Sequence, residues 1–160
     1  MFHPSTYNGT LEENYQLVLN QLKSLTYEES DLIANLSNAS ALLNLFLEDI
    51  NWVGFYLAKD DQLVLGPFQG LPACIRIPFH KGVCGHAATL KKTVVVENVH
   101  HFPGHIACDG ATNSEMVIPM LKDGELIGVL DIDSPSLNRF NEIDQVYLEQ
   151  FVEILMQTMQ

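Results

Sequence analysis

The sequence reads as an α+β domain, and three patterns say so. Two amphipathic helical stretches open the chain, short β-branched and aromatic runs fill its middle, and one more helical stretch closes it. Together they give a mostly antiparallel sheet with the N- and C-terminal helices packed on one face. The other face is left for loops and a ligand pocket.

Thr10 followed by Glu13 makes a capping-box start. Leu11, Tyr15, Val18, Leu22 and Leu25 then recur at spacings of four and three, the rhythm of a helix with one apolar face. Leu32, Leu36, Ala39, Leu43 and Phe46 repeat that rhythm in a second helix. Trp52-Val53-Gly54-Phe55-Tyr56-Leu57 is aromatic and β-branched, a strand, and Gln62 to Pro67, Ala73 to Phe79 and Thr93 to Val96 read as further strands. Met116 to Leu121 and Leu126 to Ile132 flank Lys122-Asp123-Gly124-Glu125, whose Asp-Gly pair signals a hairpin. Asn141 caps a final helix expected to bury Ile143, Tyr147, Phe151 and Ile154.

At 160 residues and 47% hydrophobic, the chain fits one compact domain spanning residues 1–160. Its net charge of −12 argues against nucleic acid and anionic membranes as partners. No apolar run approaches the ~18 residues of a membrane span. The opening Met1-Phe2-His3-Pro4-Ser5 lacks the basic and apolar regions of a signal peptide. Three cysteines without an export signal point to a reducing cytoplasm.

Those cysteines, Cys74, Cys84 and Cys108, form no C-x-x-C pair, and an odd, widely spaced set makes a poor disulfide framework or zinc site. Redox chemistry suits them better. Cys108 lies in a loop of small and polar residues that favours an accessible thiol. Cys84 falls at a helix start, where the dipole lowers a thiol pKa, although a buried structural cysteine is the ordinary reading. Cys74 begins a strand, on the same face as Arg76. A metal reading with His101, His105 and Cys108 matches no familiar zinc signature.

Alternation along the first strand puts Trp52, Gly54 and Tyr56 on one face. Glycine between two rings leaves a slot; core packing of both rings is the competing reading. Asp131 and Asp133 also share a strand face, and clustered carboxylates raise each other's pKa until one keeps a proton near neutrality. A solvated hairpin mouth is the plainer alternative. Glu115 joins them only if the parity of the hairpin changes. A clean two-residue turn at Asp123-Gly124 would set Glu115 opposite Ile132, facing the wrong way. Either a bulge near Pro119, or Glu115 in the loop before the strand, is therefore expected.

Taken together, these residues resemble the free methionine-(R)-sulfoxide reductase family, built on a GAF domain. The carriers are Asn51-Trp52-Val53-Gly54-Phe55-Tyr56, Gly66-Pro67-Phe68-Gln69-Gly70, Ala73-Cys74-Ile75-Arg76-Ile77-Pro78-Phe79 and Lys81-Gly82-Val83-Cys84-Gly85. Phe102-Pro103-Gly104-His105-Ile106-Ala107-Cys108-Asp109 and Gly128-Val129-Leu130-Asp131-Ile132-Asp133-Ser134-Pro135 complete the set. His80, His86 and Gly110 depart from the residues expected in relatives.

The resemblance implies a single GAF-like domain that reduces free L-methionine-(R)-S-oxide, with Cys108 attacking, Cys74 resolving and Cys84 as the third cysteine. It implies substrate binding by Trp52, Tyr56, Glu115, Asp131 and Asp133. It also implies recycling by thioredoxin or a similar dithiol reductant, without cofactor or metal. By analogy with GAF domains, a homodimer forms through the first two helices. A GAF-type module that senses a small molecule without turnover is the alternative.

Overall fold

The computed structural model describes residues 1–160. Helices α1 (Leu11–Leu25) and α2 (Leu32–Phe46) lead into strands β1 (Trp52–Lys59), β2 (Gln62–Gly70) and β3 (Arg76–Pro78). Helix α3 (Gly82–Leu90), strand β4 (Val94–Val96) and a 3-10 turn at Val99–His101 follow. Strands β5 (Ser114–Lys122) and β6 (Glu125–Ser134) form a hairpin before the last helix, α4 (Glu142–Gln157). The six strands make one antiparallel sheet in the order β3-β2-β1-β6-β5-β4. The α+β architecture expected from the sequence is the one found.

The sheet has two unlike faces. Val53, Phe55, Met116, Ile118, Met120, Leu130 and Ile132 meet α1, α2 and α4 in a cluster of 23 buried residues. The opposite face packs Trp52, Tyr56, Val117 and Val129 beneath α3 and the loops in a cluster of 12. With nearly twice the buried apolar side chains, the helical face supplies most of the hydrophobic stabilisation. That leaves the smaller face free to carry polar groups.

Local chemistry sets the helix ends. Thr10 Oγ accepts from the Glu13 amide at 3.2 Å. The Glu13 carboxylate takes the Thr10 hydroxyl at 3.3 Å, so only half of the expected capping box forms. At α4 both halves are present: Asn141 Oδ1 accepts from the Asp144 amide, and Asp144 accepts from the Asn141 amide, each at 2.9 Å. The other Asp144 oxygen accepts from the buried Tyr15 hydroxyl at 2.5 Å and so ties α4 to α1. This tie rotates the buried stripe of α4 onto Asp144, Leu148, Phe151, Val152, Leu155 and Met156. Of the four residues expected there, Phe151 is buried, whereas Ile143, Tyr147 and Ile154 sit at the margin.

Two further expectations are corrected. Cys74 lies in the loop before β3 and not on a strand, because β3 is only Arg76–Pro78 long. The slot above Gly54 is filled by the protein itself. The pairing of β1 with β2 shifts between Gly54 and Tyr56, bringing the Phe68 backbone across Gly54. Phe68 then stacks on Trp52 with ring centroids 5.2 Å apart.

The hairpin carries the bulge that the acidic residues require. Lys122 pairs with Glu125 and Leu121 with Leu126, but Met120 pairs with Gly128, so Ile127 is the extra residue. Beyond it Glu115 pairs with Asp133 and Val117 with Asp131. The parity flips one residue from Pro119.

A Cβ on Gly54 would overlap the backbone and Cβ of Phe68. Gly54→Ala is therefore expected to lose about 1–3 kcal/mol of stability by overpacking, read from the midpoint of chemical denaturation. Gly104→Ala, where a Cβ meets nothing within 4 Å, controls for backbone conformation alone because its φ is +73°.

Candidate active site

Because β6 lies between β1 and β5, side chains from three strands meet on the smaller face. Trp52 pairs with Asp133 and Gly54 with Asp131, while Glu115 reaches the same face from β5. Trp52, Tyr56, Cys84, Cys108, Glu115, Asp131 and Asp133 all line one cavity of about 30 Å³. His105, Ile106, Asp109 and Lys81 complete much of its wall. Every residue expected from the resemblance to act or to bind substrate is there except Cys74, and Cys74 is covalently attached to the wall. It forms a disulfide with Cys108, 34 residues on, with their Cα atoms 5.4 Å apart.

Trp52 and Tyr56 stack with centroids 5.9 Å apart. Both are buried, so the core and pocket readings of these rings hold together. The Tyr56 hydroxyl donates to the Cys74 carbonyl at 2.9 Å, and Trp52 Nε1 donates to the Leu71 carbonyl at 3.2 Å. The aromatic pair thus anchors the loop that presents Cys74. Asn51 does the same for the other cysteine: its Nδ2 donates to Asp109 Oδ2 at 2.9 Å and to Thr112 Oγ1 at 3.1 Å. Nothing in the spacing of Asn51 marked it as a tether. Its position just before Trp52 was the only available cue.

The acidic residues are almost out of water: Glu115 and Asp131 are each 6% exposed and Asp133 is 8%. Burial raises the pKa of all three carboxyls. Glu115 and Asp133 rise far, through burial first and then the neighbouring Asp131 charge. Asp131 is raised by burial too, but its neighbours Glu115, Cys84 and Asp133 work against that rise. The three carboxyls titrate together, and the cluster therefore keeps protons to higher pH than isolated carboxyls would. One oxygen each of Asp131 and Asp133 is buried without a hydrogen-bond partner.

Cys84 is the third residue of α3, but the helix dipole does not govern its thiol. Burial, followed by the charges of Asp131 and Glu115, pushes its pKa well up. It stays a thiol and donates to Glu115 Oε1 at 3.9 Å. Cys84, Glu115 and Asp131 bring one donor atom each within 4.8 Å of one another. The metal grouping considered from the sequence is not assembled, since the Cys108 sulfur is bonded to Cys74. His105 Nε2 lies 3.8 Å from Glu115 Oε2. Burial and His100 lower the His105 pKa while that of Glu115 rises, so the contact is between neutral groups and not an ion pair.

Residues 39–160 match the family model of the GAF domain. The Escherichia coli protein named free methionine-R-sulfoxide reductase is 50% identical over 140 residues, covering 88% of this chain and 85% of that one. Among solved structures, fRMsr of Staphylococcus aureus in complex with substrate has a TM-score of 0.89 and 51% identity, covering 98% of this chain and 100% of that one. The free methionine-R-sulfoxide reductase of Neisseria meningitidis in complex with its substrate gives 0.91 and 44%, covering 98% and 95%. This chain belongs to the GAF-domain family of free methionine-R-sulfoxide reductases.

The raised carboxyl pKa values set the sign of a pH dependence. A carboxyl that holds its proton to higher pH in the folded state makes the folded protein bind more protons than the unfolded chain. Stability then falls as pH rises from the ordinary carboxylate range through the raised values. The oxidised protein is expected to melt higher at pH 5 than at pH 8. Asp133→Asn should raise the melting temperature at pH 8 and flatten the slope, as calorimetry across pH measures.

Proposed function

We propose that the protein reduces free L-methionine-(R)-S-oxide to L-methionine, with Cys108 as the attacking thiol and Cys74 as the resolving one. One observation carries the reading: a Cys74–Cys108 disulfide borders, through Cys108, a cavity walled by stacked aromatics and a proton-holding carboxyl cluster. Two thiols that join beside a stored proton are what sulfoxide reduction consumes.

In the first step the Cys108 thiolate attacks the sulfoxide sulfur, and Glu115 or Asp133 gives its proton to the departing oxygen. The protonated oxygen passes from the substrate sulfur to the Cys108 sulfur, the new bond between the two sulfurs breaks, and methionine leaves as the thioether. Cys108 is left as a sulfenic acid, oxidised by two electrons. The Cys74 thiol then attacks that sulfur and expels water, leaving the disulfide. An external dithiol of the thioredoxin type returns the two electrons by exchange. Cys84, held as a buried thiol, takes no part as nucleophile and instead donates to the carboxyl cluster.

Substrate recognition follows the same signs. The α-ammonium pairs with the carboxyl cluster at Asp131 and Asp133, each of which has one buried oxygen without a partner. The α-carboxylate meets Lys81 and the start of α3, whose N-cap supplies no side-chain hydrogen bond. Trp52 and Tyr56 take the ε-methyl and face the positive charge that develops on sulfur. A cavity of about 30 Å³ has room for about two water molecules. This disulfide form therefore corresponds to the enzyme after methionine has left, and opening it to substrate means releasing the Cys108 loop.

The wider reading treats all 160 residues as one domain. It pairs two copies through α1 and α2, where Ile33 and Leu45 are exposed, and it places the protein in the cytoplasm, where dithiol reductants keep it cycling. No helix is long and apolar enough to cross a membrane.

Cys108→Ser is expected to form no methionine even in a single turnover, since a hydroxyl is a far weaker nucleophile than a thiolate. Cys74→Ser should form about one methionine per enzyme and then stall, because attack precedes resolution. Amino-acid analysis after rapid mixing reads both. Methionine from Cys108→Ser would reassign the nucleophile, and ligand binding without methionine from the unmodified protein would favour a sensing module.

Removing the cation tests why the substrate is free. N-acetyl-methionine sulfoxide is expected to have a kcat/KM at least about 100-fold below that of the free amino acid, as the loss of a buried charge pair implies. Asp131→Asn should lower kcat as well as raise KM, because it also frees the neighbouring carboxyls to ionise. Equal kcat/KM for the free and acetylated sulfoxides would defeat ammonium recognition.

A further inference from the structure

The charge of the chain is unevenly placed. The sequence carries 20 acidic and 8 basic side chains, yet from Gln62 to Val96 there is no Asp or Glu. Four of the eight cations, Arg76, Lys81, Lys91 and Lys92, fall in that stretch. Cys74 sits within it, in a loop whose outer surface is apolar. Leu71 is 65% exposed and Ile75 is 68% exposed, and Arg76 beside them is also exposed. Exposed aliphatic side chains this close to a disulfide, inside the longest stretch free of carboxylates, ask what covers them.

The disulfide supplies the answer by its own chemistry. It is reopened by a thiolate approaching along the sulfur–sulfur axis, so whatever reduces it must rest on the surface around the attacked sulfur. Both cysteines are half-buried, but they face different surroundings. Cys108 is part of the wall of the 30 Å³ cavity, which no protein enters. Cys74 is not part of that wall, and its loop carries the exposed collar.

We propose that Leu71, Ile75 and Arg76 form the docking surface for a dithiol reductant protein, whose attacking thiolate strikes Cys74 Sγ. The partner has an apolar surface around its thiol pair and negative charge at its rim. The step balances: the incoming thiolate bonds to Cys74 Sγ, and the Cys74–Cys108 bond breaks. Cys108 leaves with the electron pair as a thiolate. The partner's second thiol then attacks the mixed disulfide and releases Cys74, so the partner ends as a disulfide and the enzyme as a dithiol. Attack at this sulfur regenerates the nucleophile of the proposed reaction directly. The inference rests on the proposed reductase reading for its purpose, but on the disulfide alone for its chemistry.

The experiment follows reduction of the preformed disulfide by thioredoxin, and separately by dithiothreitol, in the unmodified protein, Ile75→Glu and Arg76→Glu. Both sites are exposed, and matching melting temperatures establish that the variants fold. With thioredoxin, kcat/KM is expected to fall about ten-fold or more in each variant, as loss of an interface anchor or of charge complementarity does. With dithiothreitol, which needs no docking surface, the rates should agree within about two-fold. Unchanged thioredoxin rates, or equal losses with both reductants, overturn the proposal. A thioredoxin whose second cysteine is replaced by serine should be trapped on Cys74 in peptide maps, and trapping on Cys108 overturns the choice of sulfur. Failure of the reductase reading shows elsewhere, as absence of methionine from the unmodified protein in a single turnover.

Discussion

The site depends on burying Glu115, Asp131 and Asp133 side by side on one face of the sheet. Three carboxyls out of water cannot all be charged, so the fold stores protons there at a pH where water would remove them. This is a backbone property before it is a chemical one. Without Ile127 as an extra residue in β6, Glu115 would fall opposite Ile132 and point into the helical core. The same bulge keeps Met116, Ile118 and Met120 against the helices. Because the side-chain period of a strand is two, a single inserted residue settles both faces at once.

Such an arrangement is costly, and the division of labour between the faces offsets it. The helical face, with its 23 buried residues, is apolar apart from satisfied groups such as Asp144, which takes the Tyr15 hydroxyl and the Asn141 amide. The other face carries charge repulsion, two carboxylate oxygens without partners and a thiol held neutral. Polar strain of this kind marks a place built for a ligand and not for stability. It is tolerated because the hydrophobic work is done on the far side of the same strands.

Much of this was legible in the sequence, and the exceptions have physical causes. Alternation placed Trp52, Tyr56, Asp131 and Asp133 correctly, because each pair lies on a stretch of strand that no bulge interrupts. The parity problem at Glu115 was visible as a choice between bulge and loop, since the Asp123-Gly124 turn fixed one end of the hairpin. Cys74 was misplaced because Ile75 and Ile77 imitate a strand, while the pairing of β3 stops at Arg76. The α4 stripe was misjudged because that helix is apolar on more than one side, and a distant contact, Tyr15 with Asp144, chose the side. Phe68 over Gly54 needed a shift between β1 and β2 that no local pattern announces.

The two halves of the site are also linked through backbone, which bears on how redox state reaches the pocket. Tyr56 holds the Cys74 carbonyl and Trp52 holds the Leu71 carbonyl, so the rings proposed to clasp the substrate methyl also fix the loop of Cys74. Asn51, the residue before Trp52, grips Asp109 and Thr112 and so fixes the loop of Cys108. Both loops therefore hang from the start of β1. Gly82, at φ +63°, adds a further restraint: Ile106 of the Cys108 loop packs so close that a Cβ would stand 3.2 Å from it. A disulfide between two loops anchored on one strand end draws both over the same carboxyls. Breaking that bond leaves each loop its own tether while removing the crosslink between them. The strand thus keeps the cysteines within reach of one another without keeping the pocket shut.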